Sequence, residues 1–142
     1  MSSGYLFDTD VIIDLLQSVP AIIELLETSL LKEHLAISLF TYGELYEGVI
    51  WGKDPERSLV TLGETLARTE ILPMTIETMR SFARLRGMLR RNGEMIGIGD
   101  LIIAATALEH ERTLVTRNVR HFSRIPGLSI LNPADQTTYP SL

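Results

Sequence analysis

The sequence has no cysteine, only two lysines and few aromatic residues, and none of its hydrophobic runs is long. Without cysteine the chain has no disulfide, no thiolate metal site and no cysteine nucleophile, so any metal must be held by oxygen or imidazole ligands. The hydrophobic runs fall far short of the ~20 residues that cross a bilayer. The first residues also lack the basic start and long apolar stretch of a secretory signal. We therefore expect a cytoplasmic protein without a membrane partner.

The length of 142 residues fits one domain with a substantial core, because a chain of about 150 residues buries roughly 70% of its unfolded surface. Apolar residues make up 45% and charged residues 22% of the chain, as in an ordinary globular protein. We expect a single domain over residues 1–142, with a polar tail from about residue 133.

Charge is distributed unevenly along the chain. Residues 1–70 contain 12 acids and 4 bases, whereas residues 71–142 contain 6 acids and 9 bases, all of them arginine. Five arginines lie in one predicted helix, where pairs four apart share a face: Arg80, Arg84, Arg86, Arg90 and Arg91. Arginine forms bidentate bonds with phosphate, so the second half is a candidate nucleic-acid surface, although charge alone favours a set of solvated helix faces.

Short apolar segments alternate with longer segments of helical periodicity through the whole chain. The predicted strands cover residues 5–7, 35–38, 70–72, 113–116 and 128–131. The predicted helices lie near residues 11–16, 21–33, 39–51, 56–67, 76–92 and 101–108. This alternation predicts an α/β domain of three layers (α/β/α) around a mainly parallel central sheet of four to five strands.

Asp8 stands where the first predicted strand gives way to a helix, with Thr9 or Asp10 available as the helix cap. Ligands of open parallel sheets bind at the carboxyl ends of the strands, so Asp8 is a candidate site residue. The simpler alternative is that Asp8 and Asp10 are only turn and capping residues.

Three further polar residues fall at comparable positions. Glu44 and Glu47 share one helical stripe, and we expect at least one of them to be partly buried, with Glu47 the ordinary surface residue. Asp100 begins an almost entirely apolar helix, where it is either a buried site residue or the N-cap. Asn118 follows the fourth strand.

Asp8, Glu44, Asp100 and Asn118 thus all fall at one edge of the predicted sheet. Carboxylates crowded together raise one another's pKa, so such a cluster requires a cation. Ligands that offer only oxygen favour Mg²⁺ or Mn²⁺ over zinc.

At these positions the chain resembles the PIN-domain ribonucleases. The matching segments are LFDTD at residues 6–10, IS and TYGEL within residues 37–45, GD at residues 99–100 and LVTRNVRHF at residues 114–122. All four occur in order along essentially the whole chain. Within the family the sequence is most similar to the VapC-type toxins of prokaryotic toxin–antitoxin pairs.

The resemblance implies that Asp8, Glu44 and Asp100 hold Mg²⁺ or Mn²⁺ and are required for RNA cleavage. It also implies a homodimer and an antitoxin whose C-terminal segment covers the acidic site. Asn118 replaces the fourth acid of many members, which weakens the case for a second metal and gives this residue a supporting catalytic role. Asp10 occupies a position where many members have asparagine, so we expect it to form supporting hydrogen bonds or cap the helix.

The reaction expected from this resemblance is hydrolysis of an RNA phosphodiester by metal-activated water, with 5′-phosphate and 3′-hydroxyl products. A metal-free nuclease would instead use His34, His110 and His121, which are scattered over three elements. The helices around residues 22–31 and 42–66 are candidates for a groove that binds an antitoxin helix.

Two other functions fit parts of the sequence. Asp8 and Asp10 resemble the nucleophile and general acid of haloacid-dehalogenase-type phosphatases, but that chemistry needs a lysine from the second half of the chain, which has none. A catalytically silent domain that uses its arginines to bind RNA or protein is the third interpretation.

Overall fold

Strands and helices alternate in the computed structural model, which describes residues 4–28, 35–134 and 137–139. The strands are β1 (Tyr5–Phe7), β2 (Ala36–Ser38), β3 (Glu70–Leu72), β4 (Thr113–Val115), β5 (Ile130–Asn132) and β6 (Thr137–Tyr139). The helices are α1 (Thr9–Leu16), α2 (Pro20–Thr28), α3 (Leu39–Ile50), α4 (Pro55–Leu66), α5 (Ile76–Asn92), α6 (Ile98–Glu109) and α7 (Val119–Phe122). The predicted α/β class is confirmed.

The strands form a four-stranded sheet in the order β1-β4-β5-β6 and a two-stranded ribbon of β2 and β3. All pairs are parallel except β5 with β6. Strands β1 and β2 lie side by side, although no backbone ladder joins them within the described residues. The prediction of one sheet with four to five strands is therefore corrected to four strands plus two. A strand pattern in the sequence identifies extended segments but does not determine which edges pair.

Successive strand residues point to opposite faces of the sheet and build two separate cores. Leu6 and Leu114 belong to the core on the side of α5, α6 and α7. Phe7 and Val115 belong to the core on the side of α1, α2 and α4. Helices therefore cover both faces of the sheet, as the predicted three-layer arrangement requires.

The helix ends follow local sequence signals, with two exceptions. Helix α5 begins after a Thr75 cap and ends at Gly93, whose positive φ of 69° suits glycine. Asp8 itself caps α1, so the predicted caps Thr9 and Asp10 are wrong. Gly97 precedes α6, which places Asp100 inside the first turn instead of at the N-cap. The predicted end of the second helix near residue 33 lies outside the described residues.

A buried junction holds α5 antiparallel to α6. Glu109, at the end of α6, accepts hydrogen bonds from the hydroxyls of Thr75 and Thr78 at the start of α5, each at 2.6 Å. Burial alone would raise the pKa of Glu109, but these hydroxyls and His110 lower it overall. The junction holds the start of α5 against the end of α6. Because the two helices are antiparallel, the end of α5 lies beside the first turn of α6.

The C-terminal segment that we predicted as a polar tail contains strand β6, which pairs antiparallel with β5. An edge strand needs only its backbone to pair, so hydrophobic alternation did not reveal it. Among the described helices, none is both long and apolar enough to cross a membrane.

Candidate functional site

Asp8 is a buried carboxylate at the carboxyl end of β1. Its side chain is 6% exposed and accepts hydrogen bonds from the Thr9 backbone N–H at 2.8 Å and from the Thr116 hydroxyl at 2.7 Å. Its own backbone N–H donates to the Val115 carbonyl on β4 at 2.9 Å. The carboxylate is therefore fixed by two strands and by the helix that it caps.

Glu44 reaches the same edge from α3, in the helix that follows β2. The Thr9 hydroxyl donates to Glu44 Oε1 at 2.7 Å and lies 3.0 Å from the Thr41 hydroxyl. Glu44 and Glu47 are both exposed, which corrects the expectation that one would be partly buried. The buried face of α3 consists of Thr41 and Leu45, so both glutamates project away from the core.

Asn118 and Asp100 are linked through His121. The Asn118 backbone N–H donates to the Thr116 hydroxyl at 2.9 Å, and Asn118 Nδ2 lies 2.9 Å from His121 Nδ1. His121 Nδ1 is also 3.8 Å from Asp100 Oδ2. Asp100 is one-third exposed, so the interior position expected from its apolar helix is corrected to the rim of the site.

The four polar residues singled out in the sequence thus belong to one continuous set of polar contacts, with Glu44 and Asp100 at its two ends. It runs from Glu44 through Thr9 to Asp8, then through Thr116 and Asn118 to His121 and Asp100. The sequence did not identify the linking side chains as parts of this cluster: Thr9 was a candidate helix cap, His121 a candidate acid–base residue, and Thr116 had no assigned role. The one available signal was position, because Thr9 comes two residues after β1 ends and Thr116 follows β4 directly.

Burial and neighbouring carboxylates disfavour the charged form of Asp8. Burial, followed by repulsion from Asp10 and more weakly from Asp100, raises the pKa of Asp8 to about 7, although the Thr116 and Thr9 hydrogen bonds lower it. Burial also raises the pKa of Asp100, and His121 partly offsets that effect. An uncompensated carboxylate at this position is what a bound cation would stabilise.

Arg117 borders the cluster on the side of α1. Its Nε atom lies 2.8 Å from Asp14 Oδ2 and 3.8 Å from Asp10 Oδ2. Asp10 Oδ1 is buried and has no hydrogen-bond partner among the described residues, and burial raises the Asp10 pKa while Arg117 lowers it. Arg117 therefore ties the loop after β4 to α1 and neutralises part of the acidic surface beside Asp8.

The two described histidines, His110 and His121, lie too far apart to form an acid–base pair. His110 follows the last turn of α6, whereas His121 faces Asp100 in the first turn of the same helix. Twelve residues separate these ends by about 18 Å. His34 lies outside the described residues. The two described histidines therefore do not support the metal-free nuclease interpretation.

Gly99 allows α3 and α6 to approach closely next to Asp100. A Cβ atom added at Gly99 would lie 2.6 Å from Cε2 of the Phe40 ring and 2.8 Å from its Cζ. We expect Gly99→Ala to destabilise the protein by about 1–3 kcal/mol, the usual cost of overpacking. It should also lower activity by displacing Asp100. Chemical denaturation and a cleavage assay measure the two effects.

The matched control is Gly87→Ala in α5, where an added Cβ meets nothing within 4 Å. This change should be neutral or stabilising, because alanine has the higher helix propensity. Adding Phe40→Ala to Gly99→Ala should recover part of the loss, whereas strictly additive free energies would show that the ring contact is not responsible.

Both the sequence and the fold of the chain match those of known proteins. A family model described as "PIN domain" matches residues 5–128. The chain is 33% identical to "Ribonuclease VapC2" of Rickettsia felis, covering 90% of this chain and 96% of that protein. It is 32% identical to "Ribonuclease VapC1" of Haemophilus influenzae, covering 87% and 93%. A DNA-bound VapBC structure from Salmonella typhimurium superposes with a TM-score of 0.86 at 30% identity, covering 94% and 99% of the two chains.

Proposed function

The chain belongs to the PIN-domain family, in its VapC group, and on this basis we propose that it is an endoribonuclease and the toxin of a toxin–antitoxin pair. The observation that carries the proposal is the buried Asp8, which polar side chains connect to two further acids at one edge of the parallel sheet, Glu44 on α3 and Asp100 on α6. The family match favours the nuclease over the phosphatase interpretation.

The site residues suit a divalent cation that prefers oxygen ligands. Asp8, Glu44 and Asp100 would hold Mg²⁺ or Mn²⁺, and a bound cation would offset the burial and carboxylate repulsion that raise the pKa of Asp8. Within the described ranges no three acidic or histidine side chains meet closely enough to form a complete ligand set. When bound, the ion supplies Lewis-acid activation of water and of the scissile phosphate.

The surrounding side chains position these carboxylates. Thr116 and the Thr9 backbone hold the two oxygens of Asp8, and the Thr9 hydroxyl orients Glu44. His121 faces Asp100, and the Asn118 side chain orients His121. Such supporting hydrogen bonds typically change metal affinity or activity by about 10–100-fold when they are removed.

The antitoxin part of the proposal is supported by an apolar groove next to Glu44. The groove has a volume of about 430 Å³ and runs between α1, α3 and α4, with Ile13, Leu16, Leu45 and Val49 among its lining residues. An amphipathic helix placed there would bury apolar side chains and bring a basic residue to Glu44. Coexpression with the neighbouring short gene, followed by copurification, tests this pairing.

A homodimer is also part of the proposal. Several large apolar side chains are exposed on helices α4, α5 and α6, including Val60, Ile76 and Ile98. Apolar surface of this kind is commonly covered in an oligomer. Light scattering of the purified chain should give twice the monomer mass of 15.9 kDa.

The proposed chemistry predicts an absolute requirement for a divalent ion. Chelator should abolish cleavage of single-stranded RNA, and Mn²⁺ or Mg²⁺ should restore it. The products should carry 5′-phosphate and 3′-hydroxyl ends, because water and not the 2′-hydroxyl attacks phosphorus. Mass spectrometry of the fragments identifies the ends.

Cyclic phosphate ends, or full activity in chelator, would contradict the proposed chemistry. RNA binding without cleavage under every metal condition would favour the silent binding module instead.

A further inference from the structure

Four arginines lie on the elements next to the first turn of α6, which contains Asp100. Arg90 and Arg91 end α5, Arg120 lies in α7, and Arg124 follows α7. We call Arg90, Arg91, Arg120 and Arg124 the basic rim. They come from two chain segments that are about 30 residues apart, so their common location is a property of the fold.

The antiparallel packing of α5 on α6 places the α5 part of the basic rim next to the first turn of α6. The Glu109 junction with Thr75 and Thr78 sets the start of α5 beside the end of α6, so Arg90 and Arg91 lie beside the first turn of α6. Arg124 Nη1 donates to the Met95 carbonyl at 3.3 Å, in the short link between these helices.

Arg120 completes the arrangement from α7. It directly precedes His121, whose Nδ1 lies 3.8 Å from Asp100 Oδ2. The rim residues therefore lie on the elements that flank the first turn of α6, with Arg90 and Arg91 on α5 and Arg120 on α7.

The charge of the basic rim is available to a ligand. Arg90, Arg91 and Arg120 are exposed, and none forms an ion pair in the part of the chain that the structure describes. At the other end of α5, Arg80 is paired with Glu77 at 2.6 Å.

The opposite side of the site is acidic. Asp10, Asp14, Glu44 and Glu47 lie on α1 and α3, and Arg117 is already bound to Asp14 at 2.8 Å. The acidic side repels a polyanion, and the basic rim attracts it. The electrostatic potential therefore favours one side of the site for a bound polyanion.

From this asymmetry we infer that a single RNA strand runs from the carboxylate cluster over the basic rim, with its phosphates bound by Arg90, Arg91 and Arg120. The inference rests on the proposed function, because it takes RNA as the ligand. Guanidinium groups bind phosphate oxygens in bidentate pairs without reading bases, so the rim supplies affinity and direction but no sequence preference.

The test measures binding separately from cleavage. Anisotropy of a labelled single strand of about 12 nucleotides reports RNA affinity in an Asp8→Asn background. Changing Arg90, Arg91 and Arg120 together to glutamine should weaken binding at least about tenfold and reduce the salt slope by about 2, since each phosphate contact contributes roughly 0.7. The matched control changes Arg80 and Arg84 to glutamine, and it should alter affinity less than about twofold.

Replacement of the same three arginines by lysine should retain most of the salt slope, because the charge is kept. Equal weakening by the control pair, or unchanged binding by the glutamine variant, overturns the inference. Cleavage by the parent protein is assayed separately with Mn²⁺. RNA binding through the rim without parental cleavage would refute the nuclease proposal alone, whereas parental cleavage with an unaffected glutamine variant would refute the rim alone.

Discussion

Asp8→Asn should reduce RNA cleavage by roughly 1,000-fold, at the upper end of what the loss of one electrostatic group costs an enzyme. Asparagine keeps the helix-capping oxygen and nearly the same volume, so the fold should be preserved. Only the charge at the centre of the acid cluster is lost. Single-turnover cleavage at saturating protein, with circular dichroism to verify the fold, measures the effect.

The matched control is Asp10→Asn, two residues along the same helix start. Asp10 lies beside Asp8 and contacts Arg117 at 3.8 Å, so its neutral form should lower cleavage only a few-fold. A phosphatase of the haloacid-dehalogenase type would instead lose turnover with Asp10→Asn. Comparable losses from both substitutions would contradict the role proposed for Asp8.

The second large effect is on stability. The pKa of Asp8 is about 7 in the folded protein and near its ordinary value of 3.8 in the unfolded chain. Between these values the folded state holds a proton that the unfolded state has lost, so the free energy of unfolding should fall as pH rises from about 4 to about 7. Asp8→Asn removes this cost and should stabilise the protein at pH 8 by about 2–4 kcal/mol.

Urea denaturation of both proteins between pH 5 and pH 8 measures the difference. The exposed Glu47→Gln on α3 is the control and should leave the pH profile unchanged. Mg²⁺ at pH 8 should raise the melting temperature of the parent protein but not of Asp8→Asn, because binding to the folded state stabilises it. A stability profile with pH that is identical in the parent and in Asp8→Asn would show that folding does not raise the pKa of Asp8.

Much of the fold follows from signals that act locally. The Thr75 cap and Gly93 end signal correctly bounded α5, because capping depends on residues within one turn. The strand pairing was not predictable in the same way. Whether β1 pairs with β2 through a backbone ladder depends on how the helices pack on both faces of the sheet. The two strands have three residues each, and these short segments contain no information about that packing.

The candidate site shows the same division. The acids at strand ends were identifiable because parallel strands bring their carboxyl ends to one edge. The exposure of Glu44 and Asp100 was not predictable, since it depends on which face α3 and α6 turn toward the core. Thr9 and Thr116 were not predicted as site residues. A hydroxyl group can position a carboxylate only when the fold brings the two together, and the sequence does not show which hydroxyls meet a carboxylate.

In the described part of the chain no backbone ladder joins β1 to β2, which has a consequence for whatever binds between Asp8 and Glu44. Asp8 directly follows β1 of the four-stranded sheet, whereas Glu44 lies in α3, which follows β2 of the two-stranded ribbon, and the Thr9 hydroxyl contacts both Thr41 and Glu44 of that helix. An ion shared by the two carboxylates would bridge the elements that follow the two sheets. Loading the site should therefore slow amide hydrogen exchange in β2 and β3.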